Sequence, residues 1–257
     1  VAGLLIPLVV VSAGWREALM VSAALGLVTI VLVQPLRAKA DDDRQPGRAI
    51  SVSGVWAQLR LLAGHGGLRR LTVASFVFAG VQACTFAFLV IYLVDHVGLD
   101  LVAAGFAYSC MHLIGVGARI TWGWLAGRFV RAAVVLAMLG VASATFVVVM
   151  AQFDDSWPFW VIVVISAATG ATASGWNGVF MAEIARVAPQ DQISAATGGS
   201  VFFTYFGLVV GPTIFAALVA LTGGYDLAFY VIAGAIFLAA VLIWPRRDKV
   251  SRKPNSS

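Results

Sequence analysis

Charge is scarce in this chain. Only 11% of its 257 residues are Asp, Glu, Lys or Arg, where a water-soluble domain carries roughly a quarter. Hydrophobic residues make up 61%, more apolar surface than a soluble core of this size can hide, which excludes an ordinary globular domain. Cysteine is almost missing. Cys84 and Cys110 both fall inside long apolar runs, with neither the spacing of a disulfide framework nor that of a metal site, so both read as packing residues. The sequence holds no nucleophile with a base at motif spacing and no phosphate-binding glycine loop. No enzyme chemistry, cofactor or metal is therefore expected. In-out alternation is lacking too, which excludes barrel strands.

What is present is a series of apolar stretches. A hydrocarbon core of about 30 Å asks for about 20 apolar residues per helix. The runs are Val1 to Ser12, Ala18 to Val33, Leu71 to Val94, Val102 to Leu125, Ala132 to Phe153, Trp157 to Met181, Ser194 to Leu221 and Leu227 to Trp244. All are long enough or nearly so except the first. The fold class expected is all-α: a polytopic transmembrane helix bundle with the lipid bilayer as its solvent.

Lys and Arg sort between alternate gaps. Arg37, Lys39, Arg44, Arg48, Arg60, Arg69, Arg70, Arg119, Arg128, Arg131, Arg186, Arg246, Arg247, Lys249, Arg252 and Lys253 fall on one side, 16 of the 17 basic residues. By the positive-inside rule that side is the cytoplasm, which predicts a multi-pass protein of the cell membrane with a cytoplasmic carboxy terminus. The other gaps hold Arg16 with Glu17, Asp95, Asp100, Asp154, Asp155 and Asp226. The net charge of +5 thus follows topology rather than one basic face, and no nucleic-acid partner is expected.

The chain opens on Val1, inside a run with no basic flank before it. Gly14-Trp15-Arg16-Glu17-Ala18 closes the first span much as Gly224-Tyr225-Asp226-Leu227-Ala228 closes the seventh. Aligning Trp15 with Tyr225 gives a repeat of six spans and leaves the first span without its opening half. Eight spans with a six-span repeat predict a twelve-span protein truncated at its amino terminus.

After the fourth span, Gly123-Trp124-Leu125-Ala126-Gly127-Arg128-Phe129-Val130-Arg131 is similar to the Gly-x-Leu-Ala-Asp-Arg-x-Gly-Arg loop of the major facilitator superfamily, and the whole chain resembles helices five to twelve of that family. Gly123, Leu125, Ala126, Arg128 and Arg131 match, whereas Gly127 stands for the Asp and Val130 for the Gly, so the charge lock of that loop is not carried over whole. The resemblance implies secondary transport of a small solute by alternating access. It implies these parts: residues 1–35 as the last two helices of an amino-terminal half, 36–70 as a cytoplasmic linker, 71–245 as a six-helix half and 246–257 as a basic tail. The run Gly207-Leu208-Val209-Val210-Gly211-Pro212 resembles an antiporter motif but sits in the wrong helix, and reads as a packing and bending device.

Polar residues inside the spans mark the candidate site, because such groups face a cavity or a neighbouring helix. They concentrate in the third, fourth, sixth and seventh spans, which the resemblance places around the cavity. Gln82, Tyr108, His112, Asn177 and Tyr205 are the candidate solute-binding residues. His112, with an ordinary pKa of about 6.5, is the candidate carrier of a coupling proton; the plain alternative is a neutral histidine bonded to the next helix. Gln82 and Tyr205 serve equally as links between helices. Phe86, Trp176, Phe202 and Phe203 form either an aromatic wall or core. With no Arg, Lys, Asp or Glu read at mid-depth, a site built from this half alone is expected to disfavour a strongly charged solute.

Gly123, Arg119, Arg128, Arg131 and Glu183 are the candidate gating residues, with Glu183 at the cytoplasmic interface pairing with Arg186 at i, i+3, or with Arg119 or Arg128. Ser166, Gly170, Ser174 and Gly178 recur every four residues, a small face for close helix approach. Asp41-Asp42-Asp43-Arg44-Gln45-Pro46-Gly47 reads as a polar linker, and Val52, Val55, Trp56, Leu59 and Leu62 as the apolar face of a helix on the inner membrane surface. The alternative function is a non-transporting receptor or a remnant subunit without a complete translocation path.

Overall fold

The computed structural model describes residues 2–40 and 52–245. The linker expected over Asp41 to Gly47 and the basic tail lie outside the described residues, as do the side chains of Arg37, Lys39, Val52 and Val55. Among the described residues every regular element is helical.

The order is α1 Ala2–Ala13, α2 Trp15–Ala40, α3 Val52–Gly64, α4 Gly66–Asp95, α5 Leu101–Arg128, α6 Ala132–Met150, α7 Phe159–Ala173, α8 Trp176–Val187, a 3-10 turn Gln190–Gln192, α9 Ile193–Thr222 and α10 Asp226–Ile243. Seven stretches are long and apolar enough to cross a membrane, with α7 and α8 together forming one of them. The bundle is all-α, as the apolar runs imply. α1, at 12 residues, is too short to cross.

The breaks between helices have local causes. The Asp100 carboxylate accepts from the N–H groups of Val102 and Ala103 at 2.9 Å each, capping α5. Gly14 and Gly223 take φ of +104° and +71°, which other residues adopt only with strain. Gly223, rather than Gly224, is thus the conformational counterpart of Gly14. The pairing of the two turns drawn from the sequence shifts by one residue, because a left-handed φ and not the neighbouring aromatic sets the turn.

Three helix pairs carry the bundle: α4 with α9, α5 with α7, and α6 with α10. α1 packs on α5, and α3 lies against α9 and α4 with Leu62 buried. α2 leaves Leu19, Met20, Leu27, Ile30, Val31 and Leu32 exposed. α6, one of the spans poorest in polar groups, buries most of its surface against α10, α7 and α8 and opens only a stripe through Met138, Thr145 and Val148.

The α4–α9 seam is built from small and hydroxylated residues. Thr72 and Ser200 share a hydrogen bond of 2.9 Å, and Thr204 donates to Ser75 at 3.0 Å. Further along, a Cβ added at Gly207 would lie 2.1 Å from the Phe76 carbonyl oxygen, and one at Gly211 2.6 Å from the Cα of Gly80. The backbones touch because neither glycine has a side chain.

At the end of the bundle opposite the basic gaps, Tyr92 is wholly buried and donates to the Met150 carbonyl at 2.6 Å. Phe153, Tyr225 and Phe229 surround its ring. This clasp ties α4, α6 and α10 together.

Candidate functional site

The run Trp157 to Met181, continuous in the sequence, is broken in the structure. α7 ends at Ala173, Ser174 caps it, and α8 starts at Trp176. No proline lies near the break, so its cause is tertiary. α5 supplies two donors to the carbonyls there: Trp122 Nε1 reaches Ala171 at 3.1 Å and Arg119 Nε reaches Ser174 at 3.0 Å. Asn177 Nδ2 adds a contact to the Ser174 carbonyl at 3.3 Å. These donors stand in for amide N–H groups that a straight helix would offer to the same carbonyls.

Close packing makes the donors reach. A Cβ at Gly170 would lie 2.1 Å from the Met111 carbonyl oxygen, one at Gly115 2.5 Å from Ser174 Oγ, and one at Gly175 2.5 Å from the Trp122 ring. Ser166, Gly170 and Ser174 thus lie along α5, with Ser166 and Ser174 buried.

The far side of the break faces α4. Gln82 Oε1 accepts from Trp176 Nε1 at 3.1 Å and from Asn177 Nδ2 at 3.5 Å. Gln82 and Asn177 are half-buried, and Trp176 is buried. Two of the expected solute-binding residues therefore meet directly. Trp176 also packs on Phe78 and Phe180, which makes it core rather than cavity wall.

Tyr108 and His112, one turn apart on α5, form a second group. The His112 ring lies 4.2 Å from Phe86 and 4.4 Å from Tyr108 between centroids. Its Nε2 is buried and, among the described residues, has no hydrogen-bond partner. A nitrogen held between two aromatic rings without a partner is costly. Phe86 stands one turn along α4 from Gln82, which brings the two groups together. Tyr205 does not join them: it is 64% exposed on the open face of α9.

The gating candidates separate. Glu183 is buried and pairs bidentately with the exposed Arg186, through Nε to Oε2 at 2.9 Å and Nη2 to Oε1. Arg119 belongs instead to the helix break. Arg128 lies over the Phe129 ring at 5.7 Å. Arg131, Arg70, Glu183 and Arg186 line a small pocket of about 100 Å³ at the basic end of the bundle. Gly123 meets open space, with nothing within 4 Å of an added Cβ.

The sequence profile described as Major Facilitator Superfamily matches residues 1–165 and 118–257. The chain belongs to the Major Facilitator Superfamily. Among solved structures, a variant of the E. coli fucose:proton symporter FucP matches with a TM-score of 0.63 at 19% sequence identity. That match covers 90% of this chain and 58% of the symporter, and it shows the fold. No curated protein sequence matches the chain. Within the superfamily fold, the sequence pointed to Gln82, Asn177, Tyr108 and His112 through their polarity inside apolar runs. It missed the part Trp122 plays, because the carbonyl it serves lies 49 residues away on another helix. Arg119, counted with a basic gap and among the gating candidates from the sequence, belongs to α5 and the α7–α8 break; the available signal was its place well inside the apolar run.

Proposed function

We propose that this chain is the larger part of a secondary transporter moving a small solute by alternating access, in the cell membrane, with its carboxy terminus in the cytoplasm. The reading rests above all on the α7–α8 break facing Gln82. Discontinuous helices in transporters expose backbone and side-chain polar groups near the middle of the membrane, where solute binds. Gln82, Asn177, Tyr108 and His112 line this place, and Tyr205 offers a phenol from the open face of α9. Residues 71–245 act as one six-helix half, joined through the linker 36–70 to residues 1–35. The basic gaps on one side support the orientation.

His112 is the group proposed to carry a coupling proton. It stands in the spanning region, and its unpartnered nitrogen is free to take one. Arg131 and Glu183, with Arg128 nearby, are proposed to set the closing of the cytoplasmic mouth. Nothing in the family's fold calls for bond-making chemistry by the protein.

The test is solute counterflow in liposomes holding the native full-length protein. Gln82→Ala and Asn177→Ala are expected to cut exchange of the transported solute by at least about tenfold, since each removes a hydrogen bond in a desolvated place. Undiminished exchange in both variants would rule out this site. His112→Gln is expected to lose the response of uptake to an imposed pH gradient, read as the ratio of uptake with and without the gradient; an unchanged ratio would remove the proton role alone.

A further inference from the structure

Among the described residues, Arg119 is the cation placed deepest in a spanning helix. It is the nineteenth residue of the 28-residue α5, about 13 Å short of that helix's basic end at 1.5 Å per residue. One edge of its guanidinium is fixed by the bond from Nε to the Ser174 carbonyl. The side chain is otherwise exposed, and among the described residues no carboxylate pairs with it. A carbonyl offers only a partial negative charge. An exposed guanidinium within a span, held by one edge and lacking an anion, is an unbalanced charge in a place where charge is costly.

The free edge has a shape. With Nε engaged, the two terminal nitrogens present parallel N–H groups, the fork that matches the two oxygens of a carboxylate. His112 lies seven residues earlier on α5, two turns away along the same face, about 10 Å by helical rise. Its buried, unpartnered Nε2 and the Gln82–Asn177 amides stand on the side of α5 that packs toward α4 and the break. A cation with a free fork and an unpartnered polar nitrogen thus lie along one stripe.

We propose that Arg119 is the receptor for the carboxylate of a small organic anion, with His112 and Gln82 receiving the polar or aromatic remainder of the solute. This rests on the transport reading above and names the solute class for that site. It reverses the expectation that a half without a membrane-embedded cation disfavours charged solutes, because Arg119 belongs to the spanning helix rather than to the loop.

The experiment is ligand-induced thermal stabilisation of the native full-length protein in detergent. The probes are short- and medium-chain mono- and dicarboxylates, each compared with its primary amide and its primary amine. At least one carboxylate is expected to raise Tm while its amide and amine do not. Arg119→Gln should weaken that carboxylate by about tenfold or more, as expected for loss of a charge-assisted hydrogen bond. Trp122→Phe removes the other staple of the same break without changing charge, and should keep the preference for carboxylate over amide.

Three results would overturn the proposal: no carboxylate stabilises the protein, the amides do so equally well, or Trp122→Phe loses the preference as fully as Arg119→Gln. Failure of the transport reading looks different. Carboxylate binding dependent on Arg119 but without flux in liposomes would leave the receptor and remove the transporter. Flux of neutral or cationic solutes unchanged in Arg119→Gln would do the reverse.

Discussion

α9 contains a proline and is continuous; the α7–α8 segment contains none and is broken. Pro212 removes one helical hydrogen bond, yet α9 runs unbroken for 30 residues from Ile193 to Thr222. Its seam with α4 fixes it at several points through hydroxyl pairs and glycine contacts. The α7–α8 segment is pressed just as closely on α5, but α5 brings Arg119 and Trp122 to its carbonyls. Whether a membrane helix continues is decided by what its neighbour offers the backbone. A residue-by-residue list of helix breakers gives the wrong order for these two.

The largest effect expected is from glycines at the two seams. Gly207→Val and Gly170→Val each drive a side chain into a backbone carbonyl 2.1 Å from the added Cβ. Each should destabilise by about 3 kcal/mol or more, at the upper end for overpacking, measured as loss of monodisperse protein after heating. Equal stability in either variant would mean that its seam yields, and the comparison would lose its basis.

Gly175→Val tests the break itself. The added Cβ meets Trp122 Cδ1 at 2.5 Å and the Ala171 carbonyl oxygen at 2.5 Å, so a loss of about 1–3 kcal/mol is expected. Trp122→Phe deletes one hydrogen bond while keeping an aromatic ring, and should cost about 1 kcal/mol. If it costs nothing, the Ala171 carbonyl has no need of the indole and the tertiary cause of the break fails. Pro212→Ala, by contrast, should change thermal stability by less than about 1 kcal/mol; a larger shift would show that the proline, and not the seam, shapes α9.

The smallest effect lies outside the membrane. Asp154 Oδ1 accepts from Ser156 Oγ at 2.5 Å and from its N–H at 2.9 Å, and these bonds hold the carboxyl below its ordinary value of 3.8. A carboxyl lowered in the folded state adds stability above that value and loses it as pH falls through the folded pKa. Ser156→Ala should bring the Asp154 pKa back toward 3.8, read by carboxyl NMR titration. An unmoved pKa would show that the serine hydroxyl has no part in it.

The spans were legible because the requirement of a bilayer is written in long apolar runs, and hydropathy placed seven of them. Gln82, Asn177, Tyr108 and His112 were legible for the same reason, being polar where polarity costs. The break at Ser174 was not, since it arises from donors 49 and 55 residues away in the chain. Tyr205 shows the converse: polarity inside a span marked it, but only packing tells that it stands on the open face of α9. The i, i+3 spacing offered Arg186 as one of three partners for Glu183, and the structure selects it over Arg119 and Arg128.

The notches between α4 and α9 have one more consequence. Sliding α9 by one residue turns its faces by about 100°, which would part Thr204 from Ser75 and bring Phe206 to the place where Gly207 meets the backbone of Phe76. A one-residue slip is therefore closed to the two helices. They behave as a single keyed shaft, and any rearrangement of the protein that keeps them together must carry both at once.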